Sequence, residues 1–413
     1  MRSYSIKREL SFCRTRTYTL MNTPLTLRLA SLLLFSQVTA VFAQNPTFKA
    51  EVIDAKISIG YGLATGDVDG DGRLDVLMAD QKEIVWYQNP GSAGSTWVRH
   101  VLAANLTERD NVCIAARDID GDGKVEVAVG AQWNPGETRN ANESGAVFYL
   151  IPPADRTARW EPVRLHHEVT IHRMHWVQDS DGAFQLMVLP LHGEGNEKGE
   201  GKAVQLIAFD VPQNPKGLWA YQLVDTGMHM THNMEPMEVK GAFLGMAVAG
   251  KEGVQVFLKG VDGWAASGNW MVLNQGVGEI RTGKLGTSQL FTTTIEPMHG
   301  NSLVVYTKDA RAVLTDRLNQ GHALVTGDFL GLGRDQIVMG WREKNPAEQV
   351  GVRLYMASDP AGSTWQEYAL DEKVNMACED IRAADLDGDG DLDLVAAGRA
   401  TKNVVIYWNK RIP

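Results

Sequence analysis

The sequence predicts an all-β fold, a seven-bladed β-propeller, and two repeating patterns carry that prediction. The first pattern is an acidic loop between two short apolar runs, which indicates strand, tight loop and strand. The second is an aromatic residue, usually tryptophan, at the head of a short strand. Each unit of about 40 to 50 residues has the size of a propeller blade, because one small sheet cannot bury both faces until its neighbours stack on it.

The acidic loops mark the innermost strand of each unit. Three loops share one template, at residues 67–75, 118–126 and 385–393. A fourth, at 328–335, keeps the frame but has lost its middle carboxylates. Weaker copies of the pattern lie between these loops. The inner-strand positions then fall near 67, 118, 178, 238, 284, 328 and 385, which predicts seven units.

The tryptophan pattern marks the outer strands in a different phase. It recurs at Trp97, Trp160, Trp219, Trp270 and Trp365. The last unit is short by one strand, and the segment 47–53 matches the pattern with Phe48 at the tryptophan position. We therefore expect the N-terminal segment to supply the outer strand of the seventh blade. This closure removes two open sheet edges and predicts one domain over residues 44–413.

The N-terminal 43 residues are predicted to be an upstream extension followed by a secretory signal. The signal occupies residues 21–43, with an apolar core at 29–40 and a cleavage site near Ala43. We expect a secreted or periplasmic protein with no membrane span. The rest of the chain carries 34 Lys and Arg against 49 Asp and Glu, which argues against a nucleic-acid partner bound by bulk charge. Cys113 and Cys378 are expected on blades that do not touch, which favours two buried thiols over one disulfide.

The three complete acidic loops predict structural calcium sites. Carboxylates at positions 1, 3, 5 and 9 of a glycine-containing loop supply the oxygen ligands that calcium prefers. Because each loop joins the first and second strands of a blade, all should lie on one face. We interpret these sites as stabilising the turns, with calcium sensing as the alternative. The predicted ligands are Asp67, Asp69, Asp71, Asp75, Asp118, Asp120, Asp122, Glu126, Asp385, Asp387, Asp389 and Asp393.

The opposite face is predicted to carry a site at the mouth of the central pore. Counting strands brings titratable side chains from most blades to this mouth. Three imidazoles with one vacant position form the usual open site for catalytic zinc. The predicted ligands of zinc, or of another divalent metal, are His172, His192, His232 and His299.

Further residues at this mouth are candidates for catalysis. A bound metal acidifies the carbon beside a carbonyl, and Glu279 or His322 is predicted to remove the proton. Arg281 and Arg342 are candidates for holding an enolate or carboxylate oxygen. Tyr61 is a candidate donor to a leaving hydroxyl, with an ordinary packed tyrosine as the alternative. His175, on the same predicted strand as His172, completes the list.

Several histidine-bearing segments resemble a known family. Thr170-Ile-His172-Arg-Met-His175-Trp, Leu189-Pro-Leu-His192-Gly-Glu-Gly-Asn, Met230-Thr-His232-Asn, Thr294-Ile-Glu-Pro-Met-His299-Gly and Gln320-Gly-His322-Ala are similar to the propeller domain of aldos-2-ulose dehydratase and to bacterial single-propeller FG-GAP/VCBS proteins. The resemblance implies zinc and the elimination of water from ketosugars such as 1,5-anhydrofructose. It also implies a small sugar or oligosaccharide substrate and partner enzymes of a sugar pathway.

One departure from the family is large. The dehydratase has cupin and lectin-like domains after its propeller, whereas this chain ends at Pro413. We therefore do not expect the isomerisation step that belongs to those domains. Two other functions stay open. One is a non-catalytic, integrin-like or carbohydrate-binding propeller; the other is a polysaccharide lyase for uronate polymers, which needs a long groove lined by aromatic and basic residues.

Overall fold

The computed structural model describes residues 45–410, apart from positions 93, 180–181, 240–241, 287–288 and 309. The predicted signal segment and its cleavage site near Ala43 lie outside the described residues. Within the described part, all regular structure is β-strand. There, no helix is long and apolar enough to cross a membrane.

The described residues form 28 strands, numbered here in chain order, which pair into seven sets of four. The first fourteen are β1 (Phe48–Asp54), β2 (Gly62–Gly66), β3 (Asp75–Ala79), β4 (Glu83–Gln88), β5 (Val98–Ala104), β6 (Cys113–Arg117), β7 (Glu126–Ala131), β8 (Ala146–Ile151), β9 (Glu161–Arg164), β10 (Ile171–Gln178), β11 (Phe184–Pro190), β12 (Gln205–Asp210), β13 (Tyr221–Asp225) and β14 (Thr231–Val239). The second fourteen are β15 (Ala242–Gly250), β16 (Gly253–Gly260), β17 (Gly263–Leu273), β18 (Glu279–Lys284), β19 (Leu290–Glu296), β20 (Ser302–Tyr306), β21 (Arg311–Thr315), β22 (Gly321–Gly327), β23 (Gln336–Trp341), β24 (Gly351–Ala357), β25 (Trp365–Ala369), β26 (Cys378–Ala384), β27 (Asp393–Gly398) and β28 (Asn403–Asn409).

Seven four-stranded antiparallel sheets form the blades of a β-propeller. Blade 1 is β2–β5, and the blades follow in chain order to blade 6, β22–β25. Blade 7 combines β26, β27 and β28 with β1, which pairs antiparallel with β28 from Phe48 opposite Asn409. The expected closure by the N-terminal strand is confirmed. The last blade therefore has its full four strands and presents no unpaired β28 edge.

The core lies between neighbouring blades, because each sheet is covered on both faces. Strands β3, β7, β23, β27 and β28 are buried along their whole length. This explains why their sequences are continuous apolar runs rather than alternating ones. One cluster joins Leu77 and Trp86 of blade 1 to Val127 and Leu150 of blade 2. The stability of each blade therefore depends on its neighbours.

The predicted tryptophan pattern is correct in four blades and displaced in one. Trp97, Trp160 and Trp219 precede the outer strands of their blades, and Trp365 begins β25. In blade 4, Trp270 lies inside β17, and Trp264 stands at the head of that strand instead. The reason is the tight β16–β17 turn, which begins the outer strand earlier than the spacing suggests.

The two cysteines of the propeller are free and buried, as expected. Cys113 lies on β6 in blade 2 and Cys378 on β26 in blade 7, so the two strands belong to blades that are not neighbours. Burial raises the pKa of the Cys113 thiol to about 12 and that of Cys378 well above its usual value. Both are therefore protonated thiols at neutral pH.

Candidate functional site

The acidic loops connect the first and second strands of blades 1, 2 and 7, as predicted. In the first loop, the Asp67 carboxylate accepts hydrogen bonds from the backbone N–H groups of Gly70, at 2.7 Å, and Gly72, at 2.8 Å. Both glycines have a positive φ, 84° and 85°, which a residue with a Cβ adopts at a cost. Asp118 and Asp385 make the same pair of bonds in their loops. The first aspartate of each loop therefore stabilises the turn through backbone hydrogen bonds.

The carboxylates of each loop divide into two groups. Three per loop have oxygens within 4.8 Å of one another: Asp67, Asp69 and Asp71; Asp118, Asp120 and Asp122; Asp385, Asp387 and Asp393. Asp389 was also predicted as a calcium ligand, but it is not one of the three grouped carboxylates of the blade 7 loop.

The carboxylates at the ninth position of the loops turn inward. Asp75 is fully buried and accepts hydrogen bonds from the backbone N–H groups of Val68 and Asn89. Asp393 has the equivalent pair of bonds, and Glu126 accepts one from Ile119. In blades 1 and 2 the residue predicted to ligate calcium therefore ties the loop to the blade.

At the other end of the inner strands, β-bulges displace single residues from the ladder. In β10 the register shifts between Ile171 and Arg173, which leaves His172 as the extra residue. A bulge frees such a residue from the ladder and re-aims its side chain. The same shift isolates three residues at the start of other inner strands: His232 on β14, His322 on β22 and Glu379 on β26.

The three bulge histidines are held in one tautomer by the next inner strand along the ring. His172 Nδ1 donates to the His232 carbonyl at 2.8 Å, His232 Nδ1 to the Gly278 carbonyl at 3.0 Å, and His322 Nδ1 to the Glu379 carbonyl at 2.6 Å. A carbonyl oxygen only accepts, so Nδ1 carries the proton in each ring. The lone pair is therefore on Nε2.

Three imidazoles meet at the pore mouth. The ring nitrogens of His232, His299 and His322 lie within 4.8 Å of one another. His299 comes from the turn after β19, and its Nε2 is 2.6 Å from His232 Nε2. The ring centroids of His322 lie 5.2 Å from His232 and 5.0 Å from His299. We refer to these residues as the three-histidine group.

The three-histidine group is uncharged at neutral pH. Burial and the nearby Arg173 guanidinium hold the pKa of His232 well below its usual value. Burial and Arg342 do the same for His322. Burial and the neighbouring His232 lower the pKa of His299 to about 2. Neutral imidazole is the form that binds a metal ion.

Only two of the four predicted zinc ligands, His232 and His299, belong to the three-histidine group. His322, predicted as a base, belongs to the three-histidine group. His172 lies beside it, with its ring centroid 4.6 Å from that of His232, but its Nε2 faces the Arg173 guanidinium at 3.2 Å. His192 forms an isolated bridge with Met230 and is not part of the group.

The remaining predicted residues near this group form a charged network inside the pore. Arg281 donates from Nη1 to the Asn233 side-chain oxygen at 2.8 Å and lies 3.7 Å from a Glu235 oxygen. Burial, followed by the charges of Arg382 and Arg281, lowers the pKa of His175 to about 3. Arg281 and His175 are thus engaged with protein groups rather than grouped with the three histidines.

Glu279 lies behind His232 rather than in the open mouth. Its side chain is 3% exposed, with Oε1 3.2 Å from His232 Nδ1 and Oε2 accepting from the Asn233 amide at 2.6 Å. Oε1 accepts no hydrogen bond from the described residues, although the Arg173 guanidinium is 3.6 Å away. Burial raises the pKa of this carboxyl.

A second polar cluster lies across the mouth on blades 6, 7 and 1. The buried Glu379 carboxylate accepts from Arg342 Nη1 at 2.9 and 3.0 Å and from Arg399 Nη1 at 2.9 Å. Arg399 also stacks over the Tyr61 ring, 5.4 Å from its centroid. The Tyr61 hydroxyl donates to Asp110 at 3.1 Å. Arg342 is thus ion-paired with a protein carboxylate, Glu379.

Three residues of this mouth are not among the site residues predicted from the sequence. Trp133 packs against His172, with ring centroids 5.1 Å apart, and Arg173 and Asn233 surround Glu279. Trp133 follows the second strand of blade 2, as Arg342 follows that of blade 6. Strand position therefore predicts Trp133 at the mouth as it predicts Arg342, but the indole does not titrate and the predicted site consisted of titratable side chains.

Together these features define a seven-bladed β-propeller with acidic loops on one face and a histidine-lined pore mouth on the other. Within it, an FG-GAP-like repeat model matches residues 67–129, and an FG-GAP repeat model matches residues 114–150. No curated protein matches the chain.

Solved structures share the fold at low sequence identity. A crystal structure of BBS1N in complex with ARL6DN, soaked with lead, is 13% identical with a TM-score of 0.52, covering 90% of this chain and 99% of that chain. A crystal structure of the Mitotic Checkpoint Complex contains a chain that is 12% identical with a TM-score of 0.54, covering 96% and 99%. At these identities the similarity extends to the fold alone.

Proposed function

We propose that this protein is an exported, metal-dependent carbohydrate lyase of the dehydratase type. The reaction would eliminate water or an alcohol next to a sugar ketone, as in 1,5-anhydrofructose, an aldosulose or a 3-keto-glycoside. The observation that carries the proposal is the three-histidine group, in which neutral rings from blades 4, 5 and 6 point nitrogens at one another. A carbohydrate-binding or adhesion module has no need of such a group.

The residues present fit a divalent ion such as zinc. His232 and His322 donate Nδ1–H to backbone carbonyls, which is how proteins usually orient a metal-binding imidazole. Three histidines leave a position open for substrate. A bound ion would polarise the sugar carbonyl and make the adjacent C–H more acidic.

The remaining side chains divide into roles by their contacts. In the elimination, the C–H bond beside the ketone breaks, its electrons form the C=C bond, and the next C–O bond breaks as its oxygen takes a proton. Tyr61 is suited to donate that proton, because burial and Asp110 raise its pKa and keep the hydroxyl protonated. The proton from carbon would pass to the Asp110 carboxylate, which is partly exposed and hydrogen-bonded to the Tyr61 hydroxyl, so that Asp110 can return a proton to the tyrosine afterwards. Of the predicted bases, His322 belongs to the three-histidine group and Glu279 lies beside His232 of that group. We assign them to orienting and holding the ion rather than to proton transfer.

One experiment separates this proposal from its alternatives. The purified protein, saturated with zinc, is incubated with 1,5-anhydrofructose or a 3-keto-glycoside, and the ultraviolet band of a conjugated enone is followed. We expect the wild type to produce the band and to hold about one zinc per chain besides calcium. His322→Ala should lose both the zinc and the band, because it removes one of three ligands.

His192→Ala is the matched control, since His192 was predicted as a ligand but stands outside the group. It should keep its zinc and its turnover. Loss of zinc in His192→Ala but not in His322→Ala would contradict the assignment of ligands. Zinc without turnover on any ketosugar would favour the non-catalytic carbohydrate-binding propeller. Thermal melting of each variant establishes that the fold is retained.

A further inference from the structure

We propose that the pore mouth contains a binding subsite for a neutral saccharide ring, formed by Trp133, Asp110 and the β3–β4 turn of blade 1. The inference rests on the proposed function in one respect, that the ligand is a sugar. It adds the part of the site that recognises the sugar and the charge class of the substrate. We refer to these groups as the Trp133 subsite.

Trp133 offers an aromatic surface at the mouth. One face of the indole packs against His172, and the side chain has intermediate exposure, so part of the ring meets solvent. The backbone N–H of Trp133 donates to the Asp110 carbonyl at 2.9 Å, which fixes the residue beside the start of β6, the inner strand of its own blade. Within the described residues, the indole N–H donates no hydrogen bond. A partly exposed indole whose N–H donates to no described group suits the apolar face and hydroxyls of a sugar ring.

Polar groups of the right kind lie next to this surface. Asp110 Oδ2 accepts from the Tyr61 hydroxyl at 3.1 Å and from the Gln81 side-chain amide at 3.3 Å, and Asp110 Oδ1 is 3.7 Å from Lys82 Nζ. The Asp110 side chain is 23% exposed, so its oxygens can also accept from a ligand. A carboxylate, an amide and an ammonium group within one small area are able to bind several hydroxyls at once.

The balance of charge indicates a neutral sugar. Asp110 and Lys82 offset one another, so the Trp133 subsite has no excess cation to attract a uronate. The guanidinium groups across the mouth, Arg342 and Arg399, share the single Glu379 carboxylate, and the pair with Arg342 is buried. A sugar carboxylate bound there would compete with a buried ion pair, which is costly to break.

The Trp133 subsite is placed to deliver its sugar to the three-histidine group. His172 connects them, because its ring contacts Trp133 on one side and His232 on the other. A ring stacked on Trp133 therefore lies beside the reacting sugar or is itself the reacting sugar.

The test is saccharide binding in protein stripped of divalent transition metals, with calcium kept present. Isothermal titration compares cellobiose and maltose, as neutral probes, with digalacturonate. We expect a neutral disaccharide to bind and digalacturonate to bind more weakly. Trp133→Ala should weaken the neutral ligand about tenfold, because it removes the stacked aromatic area. Trp133→Phe should restore part of the affinity.

Trp365→Ala is the matched control, since Trp365 is also half-buried but heads the outer strand of blade 6. It should leave binding unchanged. The proposal is overturned if no neutral disaccharide binds, if digalacturonate binds better, or if folded Trp133→Ala binds as the wild type does. Because the measurement needs neither zinc nor turnover, its failure can be told apart from failure of the lyase proposal.

Discussion

At the scale of single residues, one extra residue in an inner strand determines what the pore mouth contains. His172, His232, His322 and Glu379 each occupy the same bulge in a different blade. A regular ladder would send these side chains into the interface between blades, where other inner-strand residues lie. The bulges were not predictable from the sequence, because the local pattern around each histidine fits a regular strand equally well.

Glu279 is predicted to strengthen zinc binding through its contact with His232. Its Oε1 is 3.2 Å from Nδ1 of His232, the nitrogen that faces away from the three-histidine group. We expect Glu279→Gln to weaken zinc binding by about 10- to 100-fold, because the charge of such a partner raises the basicity of the ligand. Competition with a chelator of known affinity measures this change.

The control for that measurement is Glu235→Gln, which alters a pore carboxylate that forms an ion pair with Arg281 rather than contacting a histidine of the group. It should bind zinc as the wild type does. Equal zinc affinity in the two variants would mean that Glu279 does not act through His232.

At the scale of elements, the carboxylates of each acidic loop have two roles that the sequence pattern does not distinguish. Some face one another as candidate calcium ligands, and others hydrogen-bond the backbone of the blade. The carboxylates at positions 1, 3 and 5 face one another in blades 1 and 2, whereas the ninth turns into the blade and accepts backbone N–H groups. The template predicted the loops and their place between first and second strands. It did not separate ligands from structural carboxylates, since both require an acidic residue.

The number of bound calcium ions tests the role of the loop carboxylates. We expect three calcium ions per chain in the wild type and two in Asp69→Ala, which removes one carboxylate from the blade 1 loop. Each ion should stabilise the fold by about 2.7 kcal/mol at a free concentration of 100 times Kd. Metal analysis and thermal melting with and without a calcium chelator measure both effects.

Asp328→Ala serves as the comparison. Its loop keeps the first aspartate, which accepts from the Leu332 and Gly333 N–H groups, but leucines replace the middle carboxylates. This variant should still bind three calcium ions. An unchanged count in Asp69→Ala would remove the blade 1 loop from the calcium sites.

At the scale of the whole molecule, closure by β1 joins the two ends of the described chain in one blade. Phe48 is 7% exposed and packs edge-on against Phe329 of the neighbouring blade, with ring centroids 6.4 Å apart. The closing strand is therefore part of the core between blades 6 and 7. Its loss would leave an unpaired β28 edge.

Phe48→Ala tests the importance of this closure. We expect a loss of about 3 to 5 kcal/mol in the free energy of unfolding, because the substitution opens a cavity between two blades. Val52→Ala on the same strand, at a side chain that is 43% exposed, should change it by less than about 0.5 kcal/mol. Denaturant unfolding followed by tryptophan fluorescence compares them, and similar losses would show that β1 contributes no specific packing.

The sequence alone determined the propeller, its seven blades, the closure by the N-terminal strand and the positions of the acidic loops. These follow from local patterns that recur along the chain, and each repeat confirms the others. Tertiary structure alone decided which histidines meet. His232, His299 and His322 are distant in the chain and reach one another only because the ring curves their blades around a shared axis. Spacing along a sequence contains no information about distances across a pore, so His192 and His172 could not be separated from the group before the blades were in place.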